Sequence, residues 1–438
     1  MKVDEGSAAA SIKSPVNHRP DRGPAAPAVL LADTSKWACS ARLAIALSKA
    51  GVAVSAICPA FDHPLLKTRA VRRSYSYSAL YPAEALAGAI AEVNPDVVIP
   101  CDDRAVEHLH ELHAKTCAVP SQLRVADLIE RSLGPRDSFL ASASRQVFLE
   151  AAEQAGARVP RTRLLSCADD LTLWAGEQPL PWVLKADGTW GGKGVNIVRS
   201  LQDARRSFSK LTRFFGTARA VKRLVVNHDP FWLRPAWRRT KPAVVVQSFV
   251  QGRPANCAFL AWHGAIQAGF SVEVVSTAGP TAPATVVRVV DNAEMKRAAE
   301  LVARRLGLSG FFGLDFVIED ATGDAYLIEM NPRITPLCHL QLGRERDMVR
   351  ALGEMLSGTT LPSVAPVTQN ELIAYFPDAL LYQSDLLESC YLDVPEGEPE
   401  LVEDLLRPIP NKKALARMQR AMADRCPPPK PAVQPRML

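Results

Sequence analysis

Apolar and polar positions alternate in short blocks from residue 28 onward. Val29–Ala32 is an apolar run of strand length, Cys39–Ala50 has helical spacing and is closed by Gly51, and Val52–Cys58 forms a second strand-like run. Pro82–Val93 reads as a helix opened by proline, Asp96–Pro100 as a strand and Asp103–His113 as a further helix. This alternation predicts a parallel sheet, and we assign a Rossmann-like α/β unit to residues 28–125. Residues 1–27, with Pro15, Pro20, Pro24 and Pro27, and the Pro-rich stretch 421–438 read as disordered tails.

Farther along, a helical stretch runs from Ser138 to Ala155 and ends at Gly156. Pro181–Lys185 then reads as a strand with Val183 and Lys185 on one face, and Val195–Val198 as its return strand. Val244–Gly252 is an apolar strand running into a turn. Two more apolar runs flank Ala321-Thr322-Gly323, a three-residue loop that predicts a hairpin.

The 438 residues are 47% apolar and 22% charged, an ordinary globular composition that suits about three domains. No apolar run approaches the roughly 18 to 20 residues of a membrane helix, and the first residues lack the apolar core of a secretion signal. The expectation is a cytoplasmic protein with no membrane partner. Nine Cys without a CxxC pair read as reduced, small apolar residues. The net charge of +6 is uneven, since Arg199–Lys241 holds twelve Lys or Arg against Asp203 and Asp229. Such a segment is a solvated face, or a site for phosphate, a CoA-like group or nucleic acid. No RNP, zinc-finger or helix-turn-helix pattern supports the nucleic-acid use.

The turn after the first strand, Asp33-Thr-Ser-Lys-Trp37, contains no glycine, which argues against a dinucleotide oxidoreductase. His108, His110 and His113 do not form HExxH, and their spacing does not place all three on one helical face.

Between the strands at 181–185 and 195–198 lies Ala186-Asp-Gly-Thr-Trp-Gly-Gly-Lys-Gly194. Gly188, Gly191, Gly192 and Gly194 can bring several N–H groups onto one anion, with Lys185 and Lys193 supplying charge. The alternative is a simple turn. A Walker A loop is excluded, because Gly188 and Gly192 are separated by three residues rather than four and no hydroxyl follows Lys193.

If Asp320 pairs with Asp324 across the later hairpin, Asp315 faces Glu329 directly. Asn331 then shares the face of Glu329, while Phe316, Ile318, Tyr326 and Ile328 fall on the core face. Opposed carboxylates repel unless something positive lies between them, and a hard cation such as Mg²⁺ answers this economically. The alternatives are a solvent-facing hairpin whose acids happen to align, or an acid paired with Arg333. A bulge would shift the register.

Taken together, these motifs resemble the ATP-grasp superfamily of carboxylate ligases, in the style of its carbamoyl-phosphate-synthetase-like branch. The resemblance covers residues 28–360. It implies a Rossmann-like domain (28–125) followed by a two-subdomain ATP-grasp fold, with a lid (126–250) and a metal-binding subdomain (251–362); beyond it, residues 363–420 read as a small additional α/β element with no chemistry assigned.

Carried over residue by residue, the resemblance implies that Lys185 and Arg145 contact the phosphates of ATP. The loop Gly188, Gly191, Gly192, Lys193 and Gly194 would cover them, and Gln247, Ser248, Phe249 and Val250 would line the adenine. Asp315, Glu329 and Asn331 would hold Mg²⁺, with Mn²⁺ the alternative, and Arg333 would steady the transferred phosphoryl group. Asn256 is a substitute ribose contact, and Glu273 and Arg288 are read as lining the acceptor side, with buried structural charges the alternative. The implied activity is an ATP-dependent carboxylate–amine or carboxylate–thiol ligase acting on a small-molecule carboxylate and a nucleophile. The alternatives are a phosphotransferase or an ATP-binding regulatory protein. Subunit number stays open, a homodimer being one option.

Overall fold

The computed structural model describes residues 26–188, 194–212, 242–279, 282–362, 364–382 and 386–407. The alternation expected at the start of the chain forms as β1 (Ala28–Ala32), α1 (Ala38–Lys49), β2 (Ala53–Cys58), β3 (Val71–Ser76), α2 (Pro82–Val93), β4 (Val97–Pro100) and α3 (Asp103–Thr116). The four strands make a parallel sheet in the order β3-β2-β1-β4. Local chemistry sets the boundaries. Pro82 opens α2, and Asn94 closes it in the left-handed conformation, while Asp102 caps α3 by accepting from the Ala105 N–H at 2.9 Å.

This unit extends past residue 125. A further helix, α4 (Leu123–Leu133), sends Leu128, Ile129 and Leu133 into the same core as Leu30, Ile57 and Leu109. Strand β3 reads VRRSYS and carries no apolar pattern because it is a largely exposed edge strand. The order of the sheet reverses between β1 and β4, which places a crevice at their carboxyl ends, where Asp33–Trp37 and Asp102–Asp103 follow.

The helix expected over Ser138–Ala155 is broken. Ser144, at φ −126° and ψ 117°, separates α5 (Phe139–Ala143) from α6 (Arg145–Gln154), so Arg145 becomes the first residue of its own helix. A small antiparallel sheet follows, built from β5 (Thr162–Leu165), β6 (Trp182–Ala186), β7 (Val195–Val198) and β8 (Val244–Ser248) in the order β5-β8-β6-β7. Helices α7 (Asp170–Glu177) and α8 (Leu201–Leu211) cover one face, packing Leu171, Trp174, Ala204 and Phe208 against Trp182, Leu184, Ala186 and Val246. Strand alternation turns Val183 and Lys185 to the other face.

The remaining chain builds a seven-stranded sheet. Its strands are β9 (Gly252–Trp262), β10 (Ala265–Thr277), β11 (Ala284–Val290), β12 (Gly310–Glu319), β13 (Ala325–Asn331), β14 (Leu372–Tyr375) and β15 (Tyr391–Asp393). They lie in the order β13-β12-β9-β10-β11-β14-β15, with helices α9 (Ala293–Leu306) and α10 (Met348–Ser357) interspersed. The stretch expected as an additional α/β element thus supplies two strands to the main sheet. One face buries Phe259, Phe312 and Phe316 against Phe148 of α6 and Val302 of α9. On the other, Ala258, Leu260 and Phe270 join one core with Leu43 and Leu47 of α1 and Leu352 of α10. The amino-terminal unit and the large sheet therefore share their packing, and each fully buried large apolar side chain there contributes about 2 kcal/mol.

The hairpin β12–β13 differs from expectation in an instructive way. Its turn spans Asp320–Gly323, Glu319 donates its N–H to Asp324 at 2.9 Å, and the ladder nearest the turn pairs Phe316 with Leu327. Beyond it a bulge at Ile328 advances the register by one, so Asp315 faces Glu329, Leu314 faces Met330 and Gly313 faces Asn331. The core face of β13 is consequently Ala325 and Leu327, and the expected Tyr326 and Ile328 are only half-buried. The bulge lies between the acids and the turn, so it shifts the core residues while leaving the acids opposed. Among the described residues no helix is long and apolar enough to cross a membrane.

Candidate active site

Asp315 and Glu329 stand on neighbouring strands with their side chains on one face. Asp315 accepts from Asn256 Nδ2 of β9 at 2.6 Å and from Asn331 Nδ2 at 3.2 Å. Burial, and then the Glu329 carboxylate, push the Asp315 pKa up to about 6. Burial alone would raise Glu329 as well, but Arg145, Lys185 and Arg333 hold it below its ordinary value. The pair is therefore asymmetric: Glu329 is ionised and compensated, whereas Asp315 is short of positive charge. Two carboxylates on one face supply hard oxygen donors suited to a divalent cation, while the Asn331 amide turns Nδ2 to Asp315 and Oδ1 to Arg333, so it would have to turn to add its oxygen to the set.

Three cations converge on these acids from different parts of the chain. Lys185, 4% exposed, reaches the Ile328 carbonyl at 3.4 Å, so the bulge that advances the register also presents an acceptor to the lysine of the small sheet. Burial, with Arg145 adding repulsion against the pull of Glu329, lowers the Lys185 pKa to about 8. Arg145 donates from Nη1 to Asp187 Oδ1 and from Nη2 to Glu329 Oε1, each at 2.7 Å. Arg333 donates to Asn331 Oδ1 at 3.0 Å, pairs with Asp103 at 3.1 Å and lies 4.7 Å from the centre of the Trp37 ring. Trp37 and Asp103 follow β1 and β4, so Arg333 docks the cleft onto the crevice of the amino-terminal sheet.

Close approach shapes one wall. A Cβ on Gly313 would lie 2.5 Å from Thr335 Cγ2, so the glycine lets the loop after Asn331 fold back over β12 without displacing the Thr335 side chain.

The sequence profile of a family described as an ATP-grasp domain matches residues 148–336, a span that contains Lys185, Asp315, Glu329, Asn331 and Arg333. Residues 148–336 are similar to ATP-grasp domains. The carbamoyl phosphate synthase large chain of Thermus thermophilus is 26% identical over 193 residues, which is 44% of this chain and 17% of that relative's length. The likeness thus covers less than a fifth of the relative. Among solved structures, the biotin carboxylase domain of the 2-oxoglutarate carboxylase of Hydrogenobacter thermophilus, crystallised with MgADP, superposes with a TM-score of 0.54 at 16% identity, covering 77% of this chain and 71% of that one. The L-amino acid ligase of Bacillus licheniformis gives a TM-score of 0.51 at 13% identity, covering 77% and 75%. At these identities the structural likeness establishes the fold: a Rossmann-like unit leading into an ATP-grasp fold.

The structure brings together Lys185, Asp315, Glu329, Asn331 and Arg333 from the matched span with Arg145, which stands just before it. Asn256 joins them, but on Asp315 rather than at a sugar position. Gly188, at φ 69°, and Gly194, whose carbonyl accepts from the Ala186 N–H at 3.0 Å, frame the glycine-rich segment. Gly191, Gly192 and Lys193 lie outside the described residues. Gln247 is buried on β8 and donates to Thr162 Oγ1 at 3.1 Å, while Ser248 gives its N–H to the Arg161 carbonyl at 2.9 Å. Phe249 and Val250 follow, half-buried, where the small sheet joins the large one.

Arg288 does not belong to the cleft. It pairs across the ladder with Glu273, and register carries that row through Ala255 to Phe316, the face opposite Asp315. Glu273 lies 3.6 Å from Arg253, and Arg288 is exposed, so the acceptor role read for this pair is withdrawn. The described part of the basic segment is solvated, with Arg206 beside Asp203 and Arg205 on Thr172; residues 213–241 lie outside the description. The histidines separate: His108 meets Tyr77, His110 stacks on Phe139 and His113 meets Glu130. All eight described cysteines are free thiols.

Three residues of the cleft escaped the sequence reading: Asp187, Asp103 and Trp37. Asp187 carried a usable signal, because it stands two residues after Lys185 and shares its face. Asp103 and Trp37 carried none, since their part depends on how the amino-terminal sheet meets Arg333.

Proposed function

We propose that this chain is an ATP-dependent ligase that activates a small-molecule carboxylate as an acyl phosphate and couples it to an amine or similar nucleophile. The observation that carries the reading is the cluster of three cations around the opposed pair Asp315 and Glu329: Arg145 donates to Glu329, Lys185 to the neighbouring Ile328 carbonyl and Arg333 to Asn331, and the charge of all three favours ionised Glu329. The reaction begins as a substrate carboxylate oxygen attacks the γ-phosphorus and ADP departs. The nucleophile then attacks the acyl carbon, the bond to the phosphate oxygen breaks, and inorganic phosphate leaves.

Each residue has a part suited to its position. Asp315, Glu329 and Asn331 would hold a divalent cation, which would offset the charge of the phosphate oxygens. Lys185 and Arg145 face the phosphate end, where fixed positive charge favours the crowded negative transition state. Arg333, held by Asp103 and Trp37, lies where the cleft meets the amino-terminal crevice and receives the acid substrate. Gly188 and Gly194 flank the glycine-rich sequence that would cover the phosphates and so keep water from the acyl phosphate. Gln247, Ser248, Phe249 and Val250 line the adenine, mainly through backbone groups, since the Gln247 amide is engaged with Thr162.

The test is a screen of carboxylic acids with amines and thiols in the presence of ATP and Mg²⁺, scored for ADP and for the coupled product. ADP formed only when both an acid and a nucleophile are present supports the ligase. A phosphorylated product stable without a nucleophile would convert the assignment to a phosphotransferase. Nucleotide binding without turnover across the panel would convert it to an ATP-binding regulatory protein.

A further inference from the structure

Asp187 stands just past the end of β6, on the face that Lys185 shares. It accepts one arm of the Arg145 fork, and Glu329 accepts the other, both at 2.7 Å. The Arg145 side chain is only 8% exposed, and its Nε is buried without a hydrogen-bond partner among the described residues. One guanidinium is therefore divided between an acid of the small sheet and an acid of the cation pair.

The geometry of arginine gives that division a consequence. A free guanidinium fork matches a single carboxylate with two parallel N–H bonds, and such a bidentate pair is the strong form of the contact. If both Nη atoms of Arg145 were available, they would close on both oxygens of Glu329, the oxygens a divalent cation needs. Asp187 occupies one Nη, and Arg145 then touches Glu329 through Oε1. We propose that Asp187 is a positioning residue that holds Arg145 back from a bidentate grip on Glu329 and so leaves that acid available to a divalent cation. The inference rests on the nucleotide reading of the cleft. It assigns Asp187 no contact with substrate; its effect passes through Arg145.

The experiment measures binding of a non-hydrolysable ATP analogue as a function of Mg²⁺, without any acid substrate. Asp187→Asn should raise the Mg²⁺ concentration for half-maximal analogue binding by about 10-fold, the size typical of residues that orient metal ligands. Saturating Mg²⁺ should restore binding, because the defect is competition. Asp187→Glu should recover much of the loss. Adding Arg145→Met to Asp187→Asn should return the Mg²⁺ dependence toward wild type, since the competitor is gone, although the analogue binds more weakly overall. Thermal melting of the unliganded variants verifies that each is folded. An Asp187→Asn protein with wild-type Mg²⁺ dependence, or a defect that excess Mg²⁺ leaves unchanged, would overturn the proposal while the nucleotide reading stands. A wild-type protein that binds no analogue at any Mg²⁺ concentration would overturn both.

Discussion

Asp315 faces Glu329 across β12 and β13 even though the turn of that hairpin pairs one residue out of phase with them. The bulge at Ile328 reconciles the two registers and turns a carbonyl to Lys185 in the same stroke. The opposed acids, the lysine and the arginine that divides itself between Glu329 and Asp187 therefore form one electrostatic unit, and changes to its members should be read through their partners.

Removing one acid should silence the cleft without unfolding it. Glu329→Gln keeps the shape and leaves Arg145 its contact with Asp187, so the melting temperature should change little. ATP turnover should fall by about 100-fold or more, since the cation loses a charged ligand. Asp315→Asn should do the same. ADP release by the purified variants is the measurement, and wild-type rates in either would remove these acids from the mechanism.

Acid should weaken Mg²⁺-dependent nucleotide binding over a defined window. The folded value of Asp315 is raised to about 6, so its proton stabilises the unliganded fold. That contribution is present in full below the ordinary carboxylate value and is lost as pH rises through 6. A cation takes the ionised form, so its affinity runs the other way, with a plateau above about pH 7 and a drop of about 10-fold by pH 5. Calorimetry with a non-hydrolysable analogue across this range should trace the curve, and Asp315→Asn should bind weakly with a flatter profile. A level wild-type profile would contradict the assignment.

Much of this arrangement is legible in the amino-acid sequence. The αβ alternation up to Asp103, the return strand at Val195–Val198 and the alignment of Asp315 with Glu329 followed from periodicity and turn chemistry, which act over a few residues. What failed depended on distant packing. Strand β3 is a polar edge that only its neighbour β2 defines, and Arg288 was misplaced because its face is set by three ladders in succession. The bulge at Ile328 is the intermediate case: a one-residue irregularity moved Tyr326 off the core while leaving the acids where the simple register had them.

Alkaline pH should act on Lys185. Its folded value, about 8, lies below the ordinary 10.5 because burial disfavours the charge, so carrying that charge costs the unliganded fold stability at neutral pH. The cost disappears as pH rises from 8 toward 10.5, and the unliganded protein should gain stability there. Function should move oppositely. The kcat/KM for ATP reports the free enzyme and should fall above about pH 8, whereas kcat, measured with the phosphates bound and the lysine charge reinforced, should hold to higher pH. Lys185→Met should lower kcat/KM at neutral pH and abolish this alkaline limb; persistence of the limb in that variant would assign it to another group.

The joint between the amino-terminal unit and the far edge of the large sheet contains a buried ion pair. Asp393 of β15 pairs with Arg42 of α1 and accepts from His339 Nε2 at 2.8 Å, in surroundings where both acid and arginine are 7% exposed. Burial opposes its charge, but Arg42 and His339 together pull its pKa down to about 2. A carboxylate held below its ordinary value contributes stability that is present above that value and drains away as pH falls toward 2, here about 2 to 3 kcal/mol. Asp393→Asn at neutral pH leaves Arg42 buried without its counter-charge and should cost about 3 kcal/mol, seen as a lower denaturation midpoint. The paired variant Arg42→Met with Asp393→Leu removes both charges and should recover most of that loss. A single Asp393→Asn change that leaves the midpoint unmoved would show that this joint holds by apolar packing alone.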